Sequence, residues 1–211
     1  MRKILLILLL ISSCCLAAQQ KQQDDRQWSV MGYFGATTEQ KLSQLIDFHY
    51  TRASENLYSA ELAYALDKDN PVTRFFNYLF LNRIQLASNM GVRNNYASPD
   101  HKWIPELDVY IMGRRTHFPW DNYLRTSIAI GEGISYVTHR LYAENNGTAG
   151  DESPRLLDFL MFEVTFALPQ YPYLELVARI HHRSACYGLF YAEGHNSGSN
   201  NVGIGIRYYF H

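Results

Sequence analysis

Residues 201–210 read Asn-Val-Gly-Ile-Gly-Ile-Arg-Tyr-Tyr-Phe. Every second residue is apolar, from Val202 to Phe210, and the residues between them include two glycines and Arg207. A side-chain period of two is the period of a β-strand, in which successive side chains point to opposite faces. The stretch therefore predicts a strand with one fully apolar face and one face that carries glycine and charge.

The same alternation recurs along most of the chain. Between Leu160 and Leu168, for example, apolar side chains alternate with Glu163 and Thr165. Eight such segments can be delimited, at 29–37, 56–66, 73–87, 102–114, 122–138, 156–168, 173–187 and 200–210. A closed bacterial barrel has an even number of antiparallel strands. The sequence therefore predicts an all-β protein, an eight-stranded antiparallel transmembrane β-barrel.

The first residues have the features of a secretory signal. Arg2 and Lys3 precede an apolar run at residues 4–11, and small and polar residues follow it. The run is too short for a membrane-spanning helix, which needs about 20 apolar residues. We expect a cleaved signal peptide at 1–17 and a single barrel domain at 18–211. Lipoprotein processing, with an acylated Cys14 at the mature N-terminus, is the alternative.

The lengths of the connections indicate which strand faces contact lipid. A soluble lipocalin-like barrel also has eight strands, but its interior is apolar and its exterior polar. The connections at 67–71, 118–121 and 169–172 are short, whereas those at 38–55, 88–101, 139–155 and 188–199 are longer. Short periplasmic turns that alternate with long extracellular loops are typical of outer-membrane barrels. We therefore expect an integral protein of the outer membrane of a Gram-negative-type cell, with the soluble barrel as a less favoured reading.

Composition and charge exclude other classes. The 211 residues are 47% hydrophobic and 18% charged, which is too apolar for a disordered chain. A formal charge of −1 excludes the basic footprint that nonspecific nucleic-acid binding needs. We expect a salt-bridged interior rather than a diffusion pore, because the polar faces carry Glu61, Asp108, Glu163 and Glu175 together with Arg125, Arg179 and Arg207. Residues with metal-ligand spacing do not occur, so we expect no metal and no cofactor.

Two polar residues interrupt the lipid face of the seventh segment. The apolar register that starts at Leu174 continues to His182 and Ser184. Either residue would be costly against hydrocarbon without a partner. Two residues apart on one strand face, they can hydrogen-bond to each other, and an imidazole beside a hydroxyl is typical of a base-activated nucleophile. The segment runs from a short turn to a long loop, which places the pair level with the outer leaflet, where lipopolysaccharide presents ester bonds.

With these residues the chain resembles the lipid A 3-O-deacylases, which are eight-stranded outer-membrane barrels with a His-x-Ser motif on the lipid-facing side of the seventh strand. The resemblance implies that His182 is the general base and Ser184 the nucleophile. In that family a Glu near the start of the eighth strand orients the His. By spacing, this position falls between Asn196 and Val202, where no acidic residue occurs, and the Asn that follows the family's Ser is here Ala185.

Two carboxylates elsewhere are candidates for the orienting acid. Glu132 shares the lipid-face register of the fifth segment, unless a bulge at Gly131 or Gly133 turns it into the interior. Glu193 lies in the connection after the seventh segment and could fold back toward the pair.

The predicted function is that of an outer-membrane esterase that hydrolyses an acyl ester of lipid A. Ser184 attacks the ester, His182 takes the proton, and backbone N–H groups near Ala185 hold the oxyanion. The expected partner is outer-membrane lipid or lipopolysaccharide, and the sequence leaves open whether the protein is a monomer or a dimer. The alternative is a non-catalytic small outer-membrane barrel with a structural role or with loops that bind a partner.

Overall fold

The computed structural model describes residues 26–40, 42–47, 50–96, 102–144, 154–185 and 198–210. Within these ranges the chain forms the strands β1 (Trp28–Thr38), β2 (Arg52–Ala65), β3 (Arg83–Asn95), β4 (Trp103–Arg115), β5 (Arg125–Val137), β6 (Leu156–Ala167), β7 (Leu174–Ser184) and β8 (Gly198–Phe210). Each strand pairs antiparallel with the next, and β1 pairs with β8, so the sheet closes. The predicted eight-stranded antiparallel barrel is confirmed.

The connections carry a helix, α1 (Pro71–Asn77), and two short 3₁₀ helices, Leu42–Asp47 and Tyr142–Glu144. In the part of the chain that the structure describes, no helix has the length and apolarity to cross a membrane. The predicted signal peptide at 1–17 and the candidate acid Glu193 lie outside the described residues.

The two faces of the sheet differ in polarity as the alternation predicts. In β8 the side chains of Ile204, Ile206 and Tyr208 are exposed on the outer surface, whereas Arg207 and Tyr209 are buried inside. Exposed apolar side chains occur on the outer face of the other strands as well, among them Val30, Leu62, Leu86, Val109, Ile130, Phe162 and Leu176. An apolar exterior around a charged interior is the arrangement of a transmembrane barrel, and it excludes the soluble ligand-binding barrel.

An ion-pair network fills the middle of the interior. Glu163 of β6 contacts Arg114 and Arg179 at 2.6 Å each and Arg207 at 2.5 Å. Glu61 of β2 contacts the same Arg179 at 2.5 Å and Arg207 at 3.1 Å. All five side chains are buried, and their mutual pairing offsets the cost of removing the charges from water. The predicted salt-bridged interior is confirmed.

One member of this network was wrongly left out of the prediction. Arg114 of β4 is the third arginine around Glu163. Arg125 is the first residue of β5 and is half-buried at the edge of the barrel. Arg114 lies on β4, one strand before Arg125. It donates hydrogen bonds to Ser127 and Gln85 as well as to Glu163.

The predicted third strand, 73–87, is also wrong. Residues Pro71–Asn77 form α1, since Asn70 caps the helix by accepting a hydrogen bond from the backbone N–H of Val72 and the proline fits the first helical turn. The strand runs instead over Arg83–Asn95. Several of the polar residues that suggested a loop, among them Asn89 and Asn95, belong to its interior face, where Asn89 donates to Asp108 at 2.7 Å. The connection at 66–82 is consequently longer than that at 96–102, so the predicted strict alternation of short and long connections fails here.

Residues 138–144, which follow β5, fold into one mouth of the barrel. We call this mouth the loop end, where β7 ends and β8 begins, and the opposite one the terminal end, where β1 begins and β8 ends. Leu141 packs against Ile104 and Val137, and the backbone N–H of Ala143 donates to Glu55 at 3.2 Å. The buried Glu144 follows, among the interior side chains of β7 and β8.

Candidate active site

The alternation of side chains at the end of β7 places two polar side chains on the outer surface at the loop end. His182 and Ser184 are half-buried on the outer face, whereas His181 and Arg183 are fully buried in the interior. The side-chain period of two alone produces this separation. The two residues that the sequence analysis singled out therefore share one face, as predicted, and their catalytic roles stay predictions.

Strand pairing brings polar residues from both neighbouring strands beside this pair. His182 lies opposite Asn200 of β8, and Ser184 lies opposite Asp158 of β6. Residues that are directly opposite on one face have Cβ atoms about 4.5–5.5 Å apart. Asp158 is 6% exposed and Asn200 5% exposed, although both belong to the outward register of their strands. The sheet thus assembles polar groups from three strands on its lipid-facing side.

The hydrogen bonds of Asn200 determine which nitrogen of His182 carries the proton. Asn200 Nδ2 donates to the backbone carbonyl of Gln40 at 2.7 Å, so its Oδ1 is the atom directed at His182. His182 Nδ1 lies 2.7 Å from this Oδ1. Since an amide oxygen can only accept, Nδ1 is the donor. Neutral His182 therefore keeps its proton on Nδ1 and has a free lone pair on Nε2.

Asn200 thus occupies the place where the resemblance led us to look for an acidic residue. The stretch between Asn196 and Val202 lacks an acid, but its Asn200 contacts the histidine ring. An asparagine fixes the histidine tautomer in papain-like proteases, so an amide can orient the ring without supplying charge. An Asn within the expected interval was the signal that could have identified it.

Glu132 faces outward and is exposed, and the register of β5 with both neighbours continues through it without a shift. The alternative bulge that would turn it inward is therefore wrong. Its carboxyl group lies close enough to that of Asp158 to interact with it.

Asp158 was missed by the sequence analysis. It lies two residues before Leu160 in the outward register of β6, which was the available signal. Because it sits opposite Ser184, it links Glu132 to the pair on β7. We call Glu132, Asp158, His182, Ser184 and Asn200 the outer polar patch. Ala185, the predicted neighbour of the oxyanion, directly follows Ser184 and is buried.

Comparison with known proteins identifies the architecture. No protein-family model and no curated protein sequence matches the chain. Among solved structures, the outer-membrane enzyme PagL is 14% identical over 85% of this chain and 98% of its own, with a TM-score of 0.53. Neisserial surface protein A is 10% identical over 87% and 95%, with a TM-score of 0.45. The N-terminal β-barrel domain of Pseudomonas aeruginosa OprF is 11% identical over 88% and 98%, with a TM-score of 0.44.

The chain is an integral outer-membrane β-barrel. At these identities the likeness extends to the fold, and the apolar exterior agrees with a lipid environment. The outer polar patch consequently lies on a surface that is mostly apolar and faces the membrane.

A second polar cluster lies on the interior side of β7. His181 Nε2 is 2.6 Å from Glu106 Oε1 and 3.9 Å from Asp108 Oδ2, and these three buried residues offer metal-ligand atoms. The sequence analysis did not anticipate this grouping, because the residues come from two non-adjacent strands. Arg93 forms an ion pair with the same Glu106, however, so a cation already occupies one side of that carboxylate. The geometry is that of a buried ion-pair cluster with its histidine, separated from the outer polar patch by the wall of the barrel.

Proposed function

We propose that the protein is an outer-membrane ester hydrolase that removes an acyl chain from lipid A, with Ser184 as the nucleophile and His182 as the general base. The observation that carries the proposal is the hydrogen bond from His182 Nδ1 to Asn200 Oδ1 on the lipid-facing surface, on the same strand face as Ser184. It leaves Nε2 of a neutral imidazole available to accept a proton.

The location of the outer polar patch supports this function. Ionisable side chains that face lipid are costly and mark functional sites. With both chain termini on the periplasmic side, as expected for a barrel with an even number of strands, the loop end is extracellular. The patch then lies at the level of the outer leaflet, where the ester bonds of lipopolysaccharide are within reach of a side chain on the barrel wall. The resemblance to the lipid A 3-O-deacylases points to the same substrate.

The proposed reaction has two steps. Ser184 Oγ attacks the ester carbonyl while its proton passes to His182 Nε2, and the tetrahedral oxyanion is held by backbone N–H groups near Ala185. The sugar alcohol leaves with the proton from His182, and an acyl group remains on Ser184. Water then attacks this acyl-enzyme by the same proton route, which releases a fatty acid and regenerates the serine.

Asp158 has a proposed role in both steps. Asn200 orients the imidazole but has no charge to stabilise the imidazolium that forms when Nε2 is protonated. Asp158 lies opposite Ser184 and diagonal to His182, where a carboxylate can supply that charge. We assign to Asp158 the electrostatic contribution that the acidic member of a triad makes, while Asn200 supplies the orientation.

Mass spectrometry of lipid A tests the proposal. Cells that express the wild-type protein are expected to contain lipid A that has lost one acyl chain. Cells that express the Ser184→Ala variant are expected to contain lipid A that keeps all of its acyl chains. Ser88→Ala is the matched control, since Ser88 is a half-buried serine on the outer face of β3, away from the patch. The non-catalytic alternative would be supported if lipid A still lost an acyl chain in cells that express Ser184→Ala. It would also be supported if lipid A stayed intact in cells that contain a folded wild-type barrel.

A further inference from the structure

One buried carboxylate lies directly behind the outer polar patch, on the interior side of the wall. Glu144 ends the 3₁₀ helix in the β5–β6 connection that enters the loop end. Its Oε1 accepts a hydrogen bond from Arg183 Nε at 2.8 Å and another from Ser199 Oγ at 2.9 Å. A single oxygen atom therefore joins two strands.

These two strands are the ones that carry His182 and Asn200. Arg183 lies between His182 and Ser184 in β7, and Ser199 precedes Asn200 in β8. Arg183 and Ser199 are also directly opposite each other in the ladder, next to the pair formed by His182 and Asn200. Glu144 thus clamps the β7–β8 pairing from inside at the level where the outer hydrogen bond forms.

Further contacts connect Arg183 to the rest of the barrel. Its Nη1 donates to Ser135 Oγ of β5 at 2.6 Å, and its Nη2 donates to the backbone carbonyl of Arg155, just before β6, at 3.3 Å. Arg183 is fully buried and Glu144 is 4% exposed, so the pair is shielded from water. Charge-assisted hydrogen bonds in such surroundings are short and directional.

The position of this clamp matters because register decides which side chains face lipid. A slip of one residue in β7 against β8 would exchange the inner and outer faces, and a smaller shift would lengthen the bond between His182 and Asn200. The loop end of β7 leads directly into the connection at 185–197, so the clamp acts near the last rung of the ladder.

We propose that Glu144 is a positioning residue for the outer polar patch: from inside the barrel it fixes the β7–β8 register that directs Asn200 onto His182 Nδ1. The inference rests on the proposed function for its effect on turnover. Its structural part, the dependence of the His182 tautomer on Glu144, stands independently of catalysis.

The experiment compares Glu144→Ala and Glu144→Gln with Glu55→Gln in the full mature chain in detergent micelles. Glu55 is the matched control because it is a buried acid at the same mouth that accepts from the backbone N–H of Ala143 and lies 3.9 Å from Arg93 of β3. Nitrogen-15 NMR of His182 reports the tautomer, and ester hydrolysis of purified lipid A reports kcat and KM.

In the wild type and in Glu55→Gln we expect the proton of His182 on Nδ1. In Glu144→Ala we expect a mixture of both tautomers and a decrease of kcat on the order of 10²-fold with little change in KM, as misplacement of a catalytic group produces. Glu144→Gln, which keeps an acceptor oxygen for Ser199, should recover part of both. All variants should retain the heat-modifiable gel mobility of a folded barrel. If Glu144→Ala does not fold, the tautomer of His182 in Glu144→Gln alone tests the inference.

Wild-type tautomer signals in both Glu144 variants, or an equal change in Glu55→Gln, would overturn the inference. A wild-type protein that releases no fatty acid would refute the proposed function instead, and in that case the NMR comparison still decides whether Glu144 positions His182.

Discussion

His182 Nδ1 lies 2.7 Å from Asn200 Oδ1, across the ladder between β7 and β8 and on the lipid-facing side of the barrel. The amide is held in this orientation by its own donation to the backbone carbonyl of Gln40. This contact sets the histidine tautomer without an acidic neighbour in β8, and it is the basis of the first prediction.

Removal of the Asn200 side chain should lower kcat/KM for lipid A hydrolysis on the order of 10²-fold, because His182 is then free to rotate and to change tautomer. Asn200→Asp should retain at least wild-type activity, because a carboxylate also accepts from Nδ1 and stabilises the imidazolium. Steady-state assays of the purified variants in micelles measure both effects. Equal losses in Asn200→Ala and Asn200→Asp would contradict the orienting role.

Asp158 should contribute more to kcat than Glu132, although the two residues are neighbours in the outer polar patch. Asp158→Asn removes the charge opposite Ser184 and should lower kcat about tenfold, consistent with roughly 1.4 kcal/mol of lost transition-state stabilisation. Glu132→Gln keeps a donor to Asp158 and should leave kcat within about threefold of wild type, which is about 0.7 kcal/mol. The same hydrolysis assay compares the two variants, and a larger loss in Glu132→Gln would contradict the role assigned to Asp158.

Glu163 should be the most important acid for stability. Glu163→Gln leaves three buried arginines with too little negative charge and should lower the free energy of unfolding by about 3–5 kcal/mol. Glu175→Gln should cost less, since Arg207, which Glu175 contacts at 3.4 Å, keeps its ion pairs with Glu61 and Glu163. Urea titration in lipid vesicles, followed by gel mobility, gives both values. Similar costs would indicate that the network is distributed rather than centred on Glu163.

A charged substitution on the outer face should lower the free energy of unfolding more when the residue lies deeper in the membrane. Ile206 is 60% exposed on the lipid-facing side of β8, and Ile206→Arg should lower the free energy of unfolding by about 2–4 kcal/mol. Tyr123, 85% exposed in the turn between β4 and β5, is the control, and Tyr123→Arg should cost about 1 kcal/mol or less. Equal tolerance at both positions would contradict a membrane-embedded β8.

The sequence was sufficient for the barrel because the polarity of each strand alternates residue by residue. The predicted position of β3 was wrong because two opposite errors combined there. The apolar residues of 75–80 were taken as strand although Asn70 and Pro71 begin a helix. Polar residues such as Asn89 and Asn95 were taken as loop although they face the interior. Polarity alone cannot distinguish a polar lumen strand from a polar loop.

The site was predictable only within one strand. His182 and Ser184 follow from the register of β7, since a period of two suffices to place them on the lipid face. Asn200 and Asp158 require the register between strands, which depends on the lengths and shapes of the connections and on the stagger of the closed sheet. Glu144 requires in addition that a connection folds back into the barrel, which no periodicity reveals.

Covalent labelling of Ser184 is the most direct test of the account. The purified barrel in micelles is treated with a serine-directed fluorophosphonate and mapped by peptide mass spectrometry. We predict a single adduct on Ser184 that is retained in Ser88→Ala and absent in His182→Ala, because the imidazole activates the hydroxyl. A wild-type protein without the adduct, or an adduct that forms equally fast without His182, would contradict the claim that this lipid-facing pair is a catalytic site.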